Sequence, residues 1–464
     1  MKIYLHALGC KTNQYEIEAL AQQFVAIGLT LTDKAEEADI HVLNTCSVTA
    51  EAGRKSKQML RRYRKLNPNS IVVAMGCHAQ LADLSQEADI VCGTSGRATL
   101  VKQIEAVLKQ SSWGSTDSSD KTKHQPHIEP KWRQVLAEHK KLLHSTEACP
   151  DINTPSGASE FEELGLVLEQ KESRAQIKIQ DGCNMFCSYC AIALARGRSR
   201  SRSRDAILNE ARALIARGYK EIVLTGIHIC SFESDLGRDS TALAELCVQL
   251  NELPGLERIR LGSLEPLSIT DEFISTLRSA EKVCPHFHLS LQSGSDGVLK
   301  RMRRRYTSAE YRQVCTNLSS HYPKCAFTTD VMVAFPEETA EEFQESIDFV
   351  REIGFARMHV FRYSPRQYTP AARWPQVAPE VAKVRAQEMQ ATADRMALRY
   401  GRSFLDTEKQ VLVETIDQAG FAYGYTDNYL RVRFNADHET AVGEMYTIKL
   451  AEATPEMMFG VKIK

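Results

Sequence analysis

The chain lacks the features that would carry it into or across a membrane. No apolar run approaches the roughly 18 residues of a membrane span, and the N-terminus has no charged segment, apolar core and cleavage site of a secretory signal. Net charge is nearly absent too, at −1, but it averages over uneven patches and so says nothing for or against nucleic acid. No internal repeat is visible beyond an alternation of strands and helices. The expectation is a cytoplasmic protein with no membrane partner. A length of 464 residues leaves room for two or three domains with substantial cores. What the chain has in number is cysteine, thirteen in all. In a reducing compartment these are metal ligands or free thiols, not a disulfide framework.

The run DGCNMFCSYC sets Cys183, Cys187 and Cys190 at a Cys-x3-Cys-x2-Cys spacing. A closed structural zinc or iron–sulfur site takes four protein ligands. Three thiolates from one loop leave a corner open, which suits a cube cluster that binds and reduces a small molecule at its fourth iron. Zinc is the competing assignment, but zinc loops more often pair one Cys-x2-Cys with a second. The spacing resembles that of the radical S-adenosylmethionine (SAM) enzymes, in which the amine and carboxylate of SAM fill the open corner.

Cys10, Cys46 and Cys77 lie far apart but in matching local settings. KIYLHALGC, DIHVLNTC and SIVVAMGC each run as a short apolar strand into a cysteine, and helical patterns follow the first two. Alternation of this kind predicts a parallel sheet, where ligands gather at the carboxyl ends of strands. Three cysteines at equivalent strand ends favour a second cluster over three inert core thiols. Cys92, Cys149, Cys230, Cys247, Cys284, Cys315 and Cys325 belong to neither set and read as ordinary thiols, Cys230 being the one closest to a strand end of interest.

With ALGCKTNQYE, LNTCSVTAEAGRKSKQ and AMGCHAQ in the first part, the chain resembles the radical SAM methylthiotransferases. The likeness continues through ARGRSRSRSR, EIVLTGIH, RLGSLEP, LSLQSGSDGVLKRMRRRYT, TTDVMVAFPEET and SPRQYTPAAR. It covers nearly the whole chain apart from a middle linker. It implies two [4Fe–4S] clusters, one on Cys10, Cys46 and Cys77 and the SAM-binding one on Cys183, Cys187 and Cys190. By that resemblance, one electron through the latter would cleave SAM to methionine and a 5′-deoxyadenosyl radical, which removes hydrogen from an inert aromatic C–H bond or opens the way to its removal. The resemblance further implies that the other cluster would present sulfur methylated by a second SAM, the sum being C–H to C–SCH3. Cofactors supply that chemistry, so no Ser/His/Asp or paired-carboxylate machinery is nominated. A low-potential electron donor is implied as a partner, and a monomer is expected.

The expected fold class is α/β: an N-terminal parallel-sheet α/β domain at 1–105, a linker at 106–172, a partial (β/α)6 radical SAM barrel at 173–400, and a small all-β, TRAM-like barrel at 401–464. AQIKIQ, EIVLTG, RIRLGS, HFHLSLQ, FTTDVMVAF and ARMHVFRYS supply the six barrel strands. The linker contains the polar stretch SSWGSTDSSDKTKHQPH and a short amphipathic segment, KWRQVLAEHKKLLH. In the family the tail binds RNA, and Tyr423, Tyr425, Tyr429, Arg431 and Arg433 interleave aromatics with charge as stacking and phosphate contact require. A barrel core with solvated charges is the plainer account of any one of them. Thr225, Gly226, Ser263, Gln292 and Asp330 fall at strand ends facing the cavity and are candidates for holding SAM, with ordinary strand caps as the alternative.

Three basic runs add a candidate footprint for a polyanion. Arg54 to Lys65 holds seven Lys or Arg and no acid, Arg196, Arg198, Arg200, Arg202 and Arg204 alternate, and KRMRRR spans Lys300 to Arg305. If extended, the alternating run would set all five arginines on one side. GCKTNQYE and NTCSVT are most similar to the family members that act on threonylcarbamoyl-adenosine in tRNA, the base just 3′ of the anticodon. Members acting on isopentenyl-adenosine tRNA (GCQMN, NTCSIRE) or on a ribosomal-protein aspartate (GCPKN, NTCGF) are the alternatives. A non-catalytic, metal-containing RNA-binding protein is the distant third. Against the family pattern, Ala193 replaces a proline, Ala334 and Glu337 replace glycines, and Tyr368 replaces another. Loops of altered shape are expected there.

Overall fold

The computed structural model describes residues 1–110, Trp132 and 160–463; the polar stretch, the amphipathic segment apart from Trp132, and Cys149 lie outside the described residues. It divides into two compact units. The first comprises Met1–Glu169, Gly182–Asn184 and Ala191–Arg198, and the second Gln170–Asp181, Met185–Cys190 and Ser199–Lys464.

In the first unit β1 (Lys2–Ala7), β2 (Thr30–Leu31), β3 (Ile40–Thr45), β4 (Ile71–Gly76) and β5 (Ile90–Cys92) form a sheet in the order β2-β1-β3-β4-β5. All its pairings are parallel. Every residue of β3 and β4 is buried, as expected of central strands covered on both faces. The helices α1 (Lys11–Ala26), α2 (Ala50–Leu66) and α3 (Cys77–Leu81) lie in the connections, and α4 (Arg97–Gln110) follows β5. Trp132 is fully buried in the same core as Ile3, Phe24 and Ile104, and its indole N–H donates to the Asn69 carbonyl at 3.1 Å. Part of the linker is therefore built into this unit.

The second unit carries the six predicted strands. β6 (Ala175–Lys178), β9 (Glu221–Thr225) and β10 (Arg258–Leu261) make one parallel sheet, with a short hairpin of β7 (Gln180–Asp181) and β8 (Arg200–Ser201) between β6 and β9 in sequence. β11 (Ser263–Leu264), β12 (His286–Leu289), β13 (Ala326–Val333) and β14 (Arg357–Arg362) make the other. β10 and β11 are one run broken at Gly262, whose N–H donates to the Leu224 carbonyl at 3.0 Å; a Cβ there would meet that oxygen at 2.9 Å. The tail closes into a five-stranded barrel of β15 (Glu408–Ile416), β16 (Phe421–Thr426), β17 (Arg431–Asn435), β18 (Met445–Ala453) and β19 (Met458–Lys462), ordered β15-β16-β17-β19-β18.

The loop after β13 holds left-handed backbone where family members carry glycine. Ala334 and Glu337 hold φ of 57° and 63°, the left-handed region glycine would favour. The segment is pinned by the Ala334 N–H donating to Glu338 at 2.7 Å, and by Arg385 bonded to the same carboxylate. Left-handed backbone costs an L-residue about 1–2 kcal/mol, partly offset in a glycine variant by its unfolded-state entropy. Ala334→Gly combined with Glu337→Gly is therefore expected to stabilise the protein by about 1 kcal/mol, read as a higher denaturant midpoint with unchanged slope.

Candidate functional site

The strand register brings the first three cysteines to one rim. Ala7, Asn44 and Met75 are aligned across β1, β3 and β4, and Thr45 pairs with Gly76. Cys46 and Cys77 each follow their strand directly, and Cys10 caps the start of α1. Gly9 and Gly76 have φ of 94° and 93°, and a Cβ on Gly9 would lie 2.4 Å from Cys46 Sγ, so only glycine admits that thiol. A polar latch ties the rim together: Asn13 Nδ2 donates to the carbonyls of Leu8 (2.8 Å) and Thr45 (3.2 Å), and Asn44 Nδ2 to that of Asn13 (3.0 Å). Thr45 Oγ1 donates to Met75 O at 2.6 Å and accepts from Ala79 N–H at 3.0 Å.

Hydrogen-bond donors point at these sulfurs. Val48 N–H meets Cys46 Sγ at 3.4 Å and Arg196 Nε meets Cys77 Sγ at 3.2 Å. Burial pushes the Cys77 thiol up to about 11, with Arg196 pulling against it. Among the described residues, no three His, Cys, Asp or Glu side chains are gathered tightly enough for one metal ion. A cube cluster holds its thiolates farther apart than a single ion does, and sulfur-only donors with N–H groups aimed at them fit a cluster.

In the second set, Cys183 belongs to the first unit, its N–H donating to Gly197 O at 3.0 Å. A Cβ on Gly182 beside it would sit 1.9 Å from the Arg198 carbonyl, which explains the glycine. Cys187 and Cys190 belong to the second unit, joined by the Cys190 N–H to Cys187 carbonyl bond at 3.1 Å. Ser188 anchors their loop, its N–H on Met302 O (3.1 Å) and its hydroxyl on Arg301 O (2.7 Å). Arg304 Nη1 lies 3.5 Å from Cys187 Sγ, while its Nη2 pairs with buried Glu265 at 2.5 Å. Each cysteine set thus has one thiol against a carboxylate-held guanidinium.

The cavity residues separate. Ser263 and Asp330 stand on one face of the β11–β14 sheet with His288, Thr328 and His359, as the registers require. Ser263 Oγ lies 2.7 Å from Ser290 Oγ, and His288 Nε2 lies 3.4 Å from Asp330 Oδ2. Burial raises the Asp330 carboxyl, but the His288 hydrogen bond and charge outweigh it and hold the group below its usual range. This face is half-open, since His359 and Arg357 are exposed, while alternate residues such as Phe287 and Val331 are buried. Gln292 has φ of 65° and spends its backbone on a bridge to Asp330 and Met332. Thr225 is buried at the end of β9, and Gly226 admits the Gln180 carbonyl, which a Cβ would approach at 2.9 Å. The sequence pattern does not single out His288, His359, Ser290 or Gln180; for His288 and Ser290 the polar residues at alternate positions in HFHLSLQ are the available signal. Cys230 is buried, and burial pushes its thiol up to about 12.

Two expectations about RNA contact are corrected. The alternating arginines do not form an exposed face: the helix Ile192–Arg196 carries the first, and Arg196, Arg200 and Arg202 are buried. Arg196 pairs with Glu16 (2.7 Å), Arg200 with Asp181 (3.3 Å), Arg202 with Glu210, and Arg204 with Glu233 (2.6 Å), so their charges are already met. Arg198 alone of the five is exposed. In the tail, Tyr429 stacks on His286 at 4.3 Å and on Tyr425 at 4.7 Å, with Arg174 4.8 Å over Tyr425 and Arg260 5.1 Å over Tyr429. These two tyrosines join the β-barrel to the rest of its unit. Tyr423, Arg431 and Arg433 stay on the outer side of β16 and β17, Arg433 lying between Phe421 (4.3 Å) and Phe459 (4.6 Å). By contrast, α2 does present its basic residues: Arg54, Lys55, Arg61, Arg62 and Lys65 are exposed, and of KRMRRR, Lys300, Arg303 and Arg305 are.

Residues 177–350 match the Radical SAM superfamily and residues 2–93 match Uncharacterized protein family UPF0004. Among solved structures, the radical SAM methyltransferase TsrM from Kitasatospora setae superposes with a TM-score of 0.53 over 80% of this chain and 75% of that one, at 15% identity. The parallel-strand fold of the second unit is therefore that of a radical SAM protein. The chain is 35% identical, over 97% of its length and 94% of the relative's, to the threonylcarbamoyladenosine tRNA methylthiotransferase MtaB of Bacillus subtilis strain 168. The enzyme of that name from Thermotoga maritima is 31% identical, over 98% and 95%. A tRNA-2-methylthio-N(6)-dimethylallyladenosine synthase from Acetivibrio thermocellus is 32% identical, over 97% and 88%. The chain belongs to the radical SAM methylthiotransferase family.

Proposed function

We propose that this protein converts N6-threonylcarbamoyladenosine, just 3′ of the anticodon in tRNA, to its 2-methylthio derivative. The near full-length match to relatives named for that reaction carries the reading, and the GCKTN and NTCSVT segments favour it over the dimethylallyladenosine reaction. Cys183, Cys187 and Cys190 would hold the cluster that binds SAM, and Cys10, Cys46 and Cys77 the second [4Fe–4S] cluster. When bound, these groups supply one-electron cleavage of SAM and the sulfur to be transferred.

The chain's own residues position and shield. Arg304 holds Cys187 from the side of Glu265, and Tyr306 fixes the neighbouring turn with its one hydroxyl shared between the carbonyls of Ser290 and Leu291, 2.6 Å from each. Ser263 and Asp330, with His288, offer polar contacts for the amino-acid and ribose parts of SAM on a face open enough to admit a base. The exposed basic side of α2 and the Tyr423–Arg431–Arg433 face supply phosphate and stacking contacts. An external low-potential donor supplies the electron, and a cytoplasmic location follows from the substrate.

The test is reaction of the reconstituted protein, SAM and a reductant with anticodon stem-loops bearing either threonylcarbamoyl- or isopentenyl-adenosine. Methylthio product on the first is expected. Product on the second alone would transfer the assignment to the dimethylallyladenosine reaction, which the 32% identity to such a synthase makes the second reading. Product on neither would remove the proposed substrate class.

A further inference from the structure

We infer that Arg196 is a positioning residue for the Cys77 thiolate, setting the electronic character of whatever Cys77 ligates. This rests on the proposed second cluster and goes beyond it by assigning a residue outside both cysteine sets. Arg196 is fully buried and sits six positions after Cys190, in a segment that belongs to the first unit. Its Nη1 donates to Glu16 Oε1 at 2.7 Å, and its Nη2 to Asn13 Oδ1 at 2.7 Å and Glu16 Oε2 at 3.2 Å. A guanidinium is a rigid planar fork, so these bonds fix its plane and leave Nε–H aimed at Cys77 Sγ, 3.2 Å away.

Each partner is itself held. Glu16, also fully buried, is paired to Arg97, which is paired in turn to Glu162 at 2.8 Å. Asn13 is the residue whose amide ties the ends of β1 and β3. The guanidinium is therefore oriented by the same latch that aligns the strand ends, and it has no freedom to turn elsewhere. A charged hydrogen bond to a ligating sulfur draws electron density from it. Such bonds, with net charge and exposure, set the potential of an iron–sulfur cluster. Lysine keeps the charge but not the fork, and glutamine keeps neither. Because Arg97 remains on Glu16, neither replacement strands that carboxylate without a partner.

The experiment uses full-length protein in which Cys183, Cys187 and Cys190 are alanine, so that the remaining cluster is observed alone. Its midpoint potential and electron paramagnetic resonance spectrum are measured with Arg196, Arg196→Lys and Arg196→Gln. The expected result is iron and sulfide content equal to the parent, with the potential shifted to more negative values in the order Arg, Lys, Gln. Loss of the cluster from the glutamine variant, with a shifted potential in the lysine variant, supports the same assignment. Potentials and spectra identical to the parent in every cluster-bearing variant would overturn it and leave Arg196 a purely structural ion-pair partner. A parent carrying no cluster at all would instead overturn the two-cluster reading, and this inference with it.

Discussion

Alanine at Cys10, Cys46 or Cys77 is expected to abolish methylthio transfer while SAM cleavage continues; alanine at Cys183, Cys187 or Cys190 is expected to abolish both. The asymmetry follows from what each set has around it. On the proposed assignment the second set would supply three thiolates from one loop, leaving a corner for SAM, and that loop is anchored by Ser188 and Arg304. The first set stands at the ends of three neighbouring strands, fixed by Asn13, Asn44 and Thr45. Iron should fall from about eight atoms per chain to about four on loss of either set. Deoxyadenosine and methylthio product, quantified in one reaction, separate the two cases. Methylthio product surviving loss of the first set would show that those cysteines are not needed for sulfur transfer.

The largest expected effect on stability comes from Arg260→Ala, at about 3 kcal/mol, in the range for stranding a buried charge partner. Arg260 is buried and bonds Glu221 at 2.6 Å, together with the carbonyls of Thr426 (3.1 Å) and Asp427 (3.0 Å), so it joins β10 to the C-terminal barrel. Arg258 stays within 3.6 Å of Glu221 and limits the loss. Burial raises the Glu221 carboxyl, yet the guanidinium groups of Arg260, Arg174 and Arg258 outweigh it and hold the group below its usual range. A depressed folded-state value means that this stabilisation is present above the ordinary carboxylate range and is lost as pH falls through the depressed value. In the variant that acid loss should move to higher pH. Denaturant midpoints across pH measure both effects; a midpoint within experimental error of the parent would contradict the assignment.

Local spacing made the cysteine sets legible. Cys183, Cys187 and Cys190 share one decapeptide, and each strand leading to Cys46 or Cys77 is an apolar run readable by itself. The alternation of the arginines does not reveal their carboxylate partners, which range from Glu210, eight positions after Arg202, to Glu16, 180 positions before Arg196. The stacking of Tyr429 is likewise invisible in the sequence, since its partner His286 comes from a different sheet. Ala334 and Glu337 show a different limit. The resemblance to the family signals that a glycine is missing, but whether the backbone keeps a left-handed turn depends on tertiary anchors such as Glu338 and Arg385. The polar face around Ser263, Asp330 and His288 depended on register, which strand patterns alone do not fix.

The most direct test of the central claim is mass spectrometry of tRNA nucleosides from cells with and without this gene. The account predicts loss of 2-methylthio-threonylcarbamoyl-adenosine and accumulation of its unmodified precursor. An unchanged level of that nucleoside, with another methylthio product lost in its place, would contradict the substrate assignment; no change in any methylthio product of RNA or ribosomal protein would contradict the reaction itself.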